Sequence, residues 1–167
     1  MATTKTPNKE APAVKAVPKD IDPSTLIVVK NGFQGKLVYI SSRTGEKFTW
    51  DAFGSEQELE LKELRNAKNS AKKFFINNWF MFDDDYDWVI DYLGMRQYYK
   101  HAVSLENFDK VFKKSPDEII KIINGMSTGQ KKSMVYRARQ AIVAEEIDSN
   151  KAISALEKAL GVELIER

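Results

Sequence analysis

Apolar and polar residues alternate over Thr25–Trp50 and recur every three to four positions from Leu61 onward, so the chain reads as strands first and helices after. Thr25-Leu-Ile-Val-Val is rich in β-branched residues and runs into Asn31-Gly32, a turn signal. Lys36-Leu-Val-Tyr-Ile follows Gly35. Ser42-Arg43-Thr44-Gly45 then turns the chain into Glu46-Lys-Phe-Thr-Trp50, with Phe48 and Trp50 on one face and Lys47 and Thr49 on the other. The expectation is a small antiparallel β meander over about 25–50. Leu59 and Leu61 could extend it as a fourth strand toward an SH3-like half-barrel. Three strands alone are marginal, so helices must cover their apolar face.

The helical part is expected over about 56–165. Ser55-Glu-Gln-Glu58 has capping-box spacing. Leu61, Leu64, Ala67, Ala71 and Phe75 then trace one apolar stripe on a helix of about four turns, opposite a basic face of Lys62, Arg65, Lys68, Lys72 and Lys73. Trp79–Phe82 reads as a short extended segment, and Asp85 as the cap of a helix from about Tyr86 to Leu93, ended by Gly94. Ser104 opens a helix carrying Leu105, Phe108, Val111 and Phe112. Ser115-Pro116-Asp117-Glu118 starts another, with Ile119, Ile120, Ile122 and Ile123 as its stripe and Asn124-Gly125 as its stop. The longest helix is expected from Ser127 or Thr128 to about Glu146, with Met134, Val135, Ala138, Ile142 and Val143 inward. A last one follows Asp148 or Ser149, burying Ile153, Leu156 and Leu160 before Gly161. Such short lengths suit an irregular bundle rather than a coiled coil. The fold class is therefore α+β, a single domain over 24–167 behind an arm at 1–23.

That arm carries Pro7, Pro12, Pro18 and Pro23, alternates Lys with Ala and Val, and buries too little apolar surface to offset its ordering entropy. It reads as a flexible tether. Its opening residues form no apolar run of signal-peptide length, and no stretch approaches a membrane span. A soluble protein of the host cytoplasm or a virion is expected.

Phe74–Tyr99 adds a second kind of pattern, with aromatic residues crowded around Asp83, Asp84, Asp85 and Asp87. Trp50 and Trp79 are expected in the core where sheet meets helices. Asp83, Asp85 and Asp87 match the first ligands of a calcium loop, but the required Gly and closing Glu are replaced by Trp88 and Gly94, so that motif fails. His101 is the only histidine and the chain has no cysteine, which excludes thiolate nucleophiles, disulfides and Cys-based zinc sites. Gly32 and Gly35 lack the spacing of a phosphate loop. No catalytic, metal or cofactor-binding residue is assigned.

Net charge is +2, too balanced to argue for nucleic acid by itself. The charges are segregated, however. The basic face Lys62–Lys73 and the acids Asp83, Asp84, Asp85, Asp87 and Asp91 lie close in sequence, and are expected to point apart and to meet across neighbouring subunits, head to tail. A second basic set, Lys131, Lys132, Arg137 and Arg139, follows Asn124-Gly125. It supports an alternative, a helix-turn-helix whose second helix supplies phosphate contacts.

Three stretches carry a resemblance: Asn31-Gly-Phe-Gln-Gly-Lys-Leu-Val-Tyr-Ile-Ser-Ser-Arg-Thr-Gly-Glu, then Glu63-Leu-Arg-Asn-Ala-Lys-Asn-Ser, then Ala155-Leu-Glu-Lys-Ala-Leu-Gly-Val-Glu-Leu-Ile-Glu. Together they resemble a family of small proteins from tailed bacteriophages of Gram-positive (Firmicutes) hosts, over about Asp22 to the end. The resemblance implies a virion or assembly component and carries no catalytic residues. The expected function is thus non-enzymatic, with other phage proteins and further copies of the chain as partners, and no membrane.

Overall fold

The computed structural model describes residues 16–166, so most of the expected arm lies outside the described residues. Within 16–23 there is no helix or strand, and Ile21 rests half-buried on the core. The body is α+β, with short antiparallel sheets followed by helices, as the periodicities predict.

β1 (Leu26–Asn31) turns Ile27, Val29 and Asn31 inward, the two-residue period of a half-buried strand. β2 (Leu37–Ile40) and β3 (Lys47–Trp50) form the expected hairpin, with Leu37 opposite Trp50. Its turn closes through the Gly45 N–H on the Ser41 carbonyl (2.8 Å), and Gly45 takes a positive φ of 77° that favours glycine. β1, however, does not pair with β2. It pairs antiparallel with β4 (Glu56–Glu60) on one side and the two-residue β5 (Phe80–Met81) on the other. Asn31 explains the difference. Its buried side chain donates to the carbonyls of Gly35 (2.7 Å) and Ala52 (2.9 Å) and accepts from the Phe33 N–H (2.8 Å). The Asn-Gly pair thus directs the chain away from β1 instead of folding it back.

The capping box at Ser55 is also corrected. The Ser55 hydroxyl accepts from the Ala52 N–H (3.1 Å), and Glu56–Glu60 enters the ladder with β1. Leu59 therefore belongs to a fourth strand, whereas Leu61 begins α1 (Leu61–Ser70). The expected four-turn helix is broken at Ala71 (φ −146°) and resumes as the single turn α2 (Lys73–Ile76). Ser70 donates its hydroxyl to the Asn66 carbonyl (2.8 Å), the local competition that weakens helix ends. Next come a 3₁₀ turn at Asp84–Tyr86 and α3 (Trp88–Tyr92), which Asp87 rather than Asp85 precedes and Gly94 (φ 69°) terminates.

The chain after Ser104 begins with two 3₁₀ turns, Leu105–Asn107 and Asp109–Lys113, where one helix was expected. α4 (Pro116–Asn124), α5 (Thr128–Val143) and α6 (Asn150–Leu160) then start at the expected serines. Ser115, Ser127 and Ser149 accept from the N–H groups of Glu118 (3.4 Å), Gln130 (3.1 Å) and Ala152 (3.3 Å). α5 stops short of Glu146, and Val143, expected inward, is 84% exposed.

Two hydrophobic clusters result. One gathers the strands, α1–α3 and Trp50, Phe75, Phe80 and Trp88; the other gathers α4, α5, α6 and Phe108. They meet along a seam of close backbone approach. A Cβ on Gly129 of α5 would collide with the Asn77 carbonyl, and within the first cluster one on Gly32 would collide with the Asn78 carbonyl. Ser133 Oγ donates to the Gly32 carbonyl (2.8 Å) across the same seam. Gln130 accepts from the Val103 N–H (2.9 Å) and donates to its carbonyl (2.8 Å). Among the described residues, no helix is long and apolar enough to cross a membrane.

Candidate functional site

The acidic segment is largely engaged by the chain's own cations. Lys30, on β1, reaches Asp83 at 3.1 Å and Glu56 at 3.5 Å, and its hydrogen bond to Asp83 holds the ammonium above its ordinary pKa. Arg96 clasps two acids at once, Asp87 through Nη2 (2.7 Å) and Asp91 through Nη2 (2.7 Å) and Nε (2.9 Å). The Arg96 hydrogen bonds hold the Asp91 carboxyl below the usual range. Asp84 and Asp85 sit on the 3₁₀ turn, on one wall of a cleft of about 1000 Å³ that Ser104–Asn107 close from the other side. Among the described residues, no three His, Cys, Asp or Glu side chains converge as a metal site.

The basic face of α1 and α2 does not point away from this region. Arg65 lies 5.9 Å over the Tyr92 ring, with Nη1 3.4 Å from the tyrosine hydroxyl. The Lys68 amine stands beside Gly94, and Lys72 lies 5.7 Å over the Tyr98 ring. Lys73 sits over Phe74 at 5.9 Å, while Lys62 pairs with Glu60 at 3.0 Å. The α1–α2 cations thus lie beside the stretch from Tyr92 to Tyr98, while Asp83, Asp84 and Asp85 line the cleft shared with Lys30 and Ser104–Asn107. Among the described residues, none of Arg65, Lys68, Lys72 and Lys73 reaches a carboxylate. The break at Ala71 leaves the row intact, because Lys72, which precedes α2, and Lys73, which opens it, are both still exposed.

The second basic set is dispersed. Arg137 is held by Asp109 (Nε to Oδ1, 3.1 Å) and Gln140 (3.0 Å) and lies over Phe53. Its hydrogen bond to Asp109 raises the guanidinium pKa further. Arg139 donates to the Glu163 carbonyl (3.1 Å). That leaves Lys131 half-buried and Lys132 exposed, and α4 packs along α6 rather than standing as the first helix of a pair with α5. Of the four cations expected to contact phosphate, Arg137 and Arg139 each hold a partner within the chain.

Sequence reasoning missed a buried polar cluster. Glu63, 3% exposed, accepts from the Tyr39 hydroxyl (2.7 Å), Arg43 Nη2 (3.0 Å) and Asn66 Nδ2 (3.3 Å). Burial pushes its carboxyl up, but the hydrogen bonds from Ser41, Tyr39, Arg43 and Asn66 together outweigh that and hold it below the ordinary range. Burial, then the bond to Glu63, raises the Tyr39 hydroxyl. Every member is satisfied, so the cluster pins the β2–β3 hairpin to α1. The signal was present: Glu63 falls between Leu61 and Leu64 on the apolar stripe. Asn78 was also missed. It is fully buried at φ 55°, donates Nδ2 to the Tyr98 carbonyl (2.8 Å), and leaves Oδ1 without a partner. No protein-family model, no curated protein and no solved structure matches the chain.

Proposed function

We propose that this protein is a non-enzymatic structural or assembly component of a tailed bacteriophage. It would act in the virion or host cytoplasm through contacts with other phage proteins and with itself, with the residues before Pro23 as a tether. The observation that carries this reading is the row Arg65, Lys68, Lys72 and Lys73, cations that reach no carboxylate among the described residues. Asp83, Asp87 and Asp91 are occupied by Lys30 and Arg96, so they are poor complements for a neighbour's lysines. An acidic surface on a different protein is the better match. Mass spectrometry of purified particles should find the chain there. Replacing Lys68, Lys72 and Lys73 with Glu should abolish its incorporation without changing its circular dichroism. Incorporation untouched by the triple reversal, or absence from both particles and assembly intermediates, would sink the reading.

A second reading has its own observation. Arg65 and Lys72 lie beside Tyr92 and Tyr98, and cations interleaved with aromatic rings also suit a single-stranded nucleic acid. Four phosphate contacts would give a log–log salt slope of about −3. Failure to retard any oligonucleotide at low salt would discard it.

A further inference from the structure

We propose that α5 is a self-association face on which two copies of this chain pair antiparallel about a two-fold axis. This contact is separate from the partner taken by the α1–α2 cations. Lys132, Tyr136, Arg139 and Val143 follow one another at helical spacing on the side of α5 turned from both cores. Tyr136 is 44% exposed and Val143 84%, against the buried Gln130, Met134, Ala138 and Ala141 on the opposite side.

The end of α5 supplies an independent observation. The Glu146 N–H bonds the Ala141 carbonyl (2.8 Å) and the Glu145 N–H the Ile142 carbonyl (3.0 Å), a Schellman closure. Such a closure needs a left-handed residue, usually glycine, and α6 uses Gly161 (φ 69°) in that role. α5 instead places Glu145 there at φ 59°. A left-handed conformation that glycine would adopt without strain points to a role for the Glu145 side chain other than stability. What Glu145 adds is an exposed carboxylate two residues beyond Val143, followed by Glu146, exposed and within electrostatic reach of Arg137.

Those features specify the occupant. The cations Lys131 and Lys132 stand in the first turns of α5 and the acids Glu145 and Glu146 just beyond its end. A parallel copy would set like charges together, whereas an antiparallel copy sets Lys132 of each chain near Glu145 and Glu146 of the other. The same register lays Tyr136 over Val143, with the axis between Arg139 and Gln140. Arg139, on that axis, donates to the Glu163 carbonyl of its own chain (3.1 Å). An isologous contact of this kind closes on itself as a dimer.

Sedimentation velocity of the full chain across the micromolar range should show a monomer–dimer equilibrium. Val143→Glu should leave only monomer with an unchanged circular dichroism spectrum. Lys132→Glu should weaken the dimer and Lys132→Glu with Glu145→Lys should restore it. Glu145→Gly should raise the melting temperature while loosening the pair. The chain has no cysteine, so orientation can be read by oxidation. A mixture of Tyr136→Cys and Val143→Cys chains should cross-link faster than either variant alone. A strictly monomeric wild type, a dimer indifferent to Val143→Glu, or Val143→Cys cross-linking to itself as fast as the mixture would each overturn the proposal. Association with a different protein through this face, with the chain alone monomeric, would overturn it equally.

Discussion

Glu63 shows what a single side chain on the wrong-looking face of a helix can do. Its carboxylate is buried, yet Tyr39, Arg43 and Asn66 all donate to it; removing it strands the buried Tyr39 hydroxyl, whereas Arg43 reaches water and Asn66 keeps the Tyr39 oxygen as an acceptor. Glu63→Ala should cost about 1–3 kcal/mol in a denaturant titration, with Tyr39→Phe costing less because Arg43 and Asn66 remain. The pH dependence has a definite sign. A carboxyl whose folded pKa lies below its unfolded value binds its proton more readily when unfolded, so its contribution is complete above the ordinary carboxylate range and is lost as pH falls through the folded value. The urea midpoint of the wild type should therefore fall more steeply below about pH 4.5 than that of Glu63→Gln, and parallel curves would remove Glu63 as the cause. Trp50 was legible as core from its place in the strand alternation. It is fully buried and donates its indole N–H to the Val29 carbonyl (2.9 Å). Trp50→Ala should cost about 3–5 kcal/mol, whereas the half-buried Trp79, edge-on to Phe33 and Phe74, should cost less.

Among the elements, the ones legible in sequence were those whose signals are local. Ser115, Ser127 and Ser149 cap their helices through hydrogen bonds spanning three residues, and Gly45 and Gly94 stand where a positive φ is needed. The illegible ones depended on distant partners. Ser55-Glu-Gln-Glu58 satisfies a capping rule, yet β1 offers the same residues a full ladder and wins. Asn31-Gly32 looks like a hairpin turn, but its side-chain acceptors lie at Gly35 and Ala52 and its nearest backbone neighbour at Asn78. Likewise, the inward face of α5 was misassigned at Val143, because Gly129, Gln130 and Ser133 read as polar or small rather than as the face that meets another core. Of the candidate site, Arg65, Lys68, Lys72 and Lys73 share a helical spacing visible in the sequence, while the tyrosine neighbours of Arg65 and Lys72, some 27 residues on, carried no local signal. Gly129→Ala tests the seam directly. Its new methyl group meets the Asn77 carbonyl, so a loss of about 1–3 kcal/mol is expected despite the gain in helix propensity. A neutral or stabilising result would mean that the two backbones separate easily.

For the whole molecule, the distribution of chromophores makes the coupling between cores measurable. All three tryptophans belong to the first cluster, whereas α4, α5 and α6 supply most of the helix. Fluorescence and far-ultraviolet circular dichroism therefore report different halves. Their unfolding curves should coincide in the wild type and separate in Gly129→Ala, and separate curves in the wild type would show the seam too weak to couple the cores. The seam also has a consequence in time. Ser133 bonds the Gly32 carbonyl across 101 positions of sequence, so β1 and its neighbours leave the ribosome well before the surface that covers them exists. At about 5–20 residues per second, the nascent chain spends several seconds with Gly32 and Asn77 uncovered. The first half is thus born with an open flank that α5 closes only once its own stretch of chain has been made.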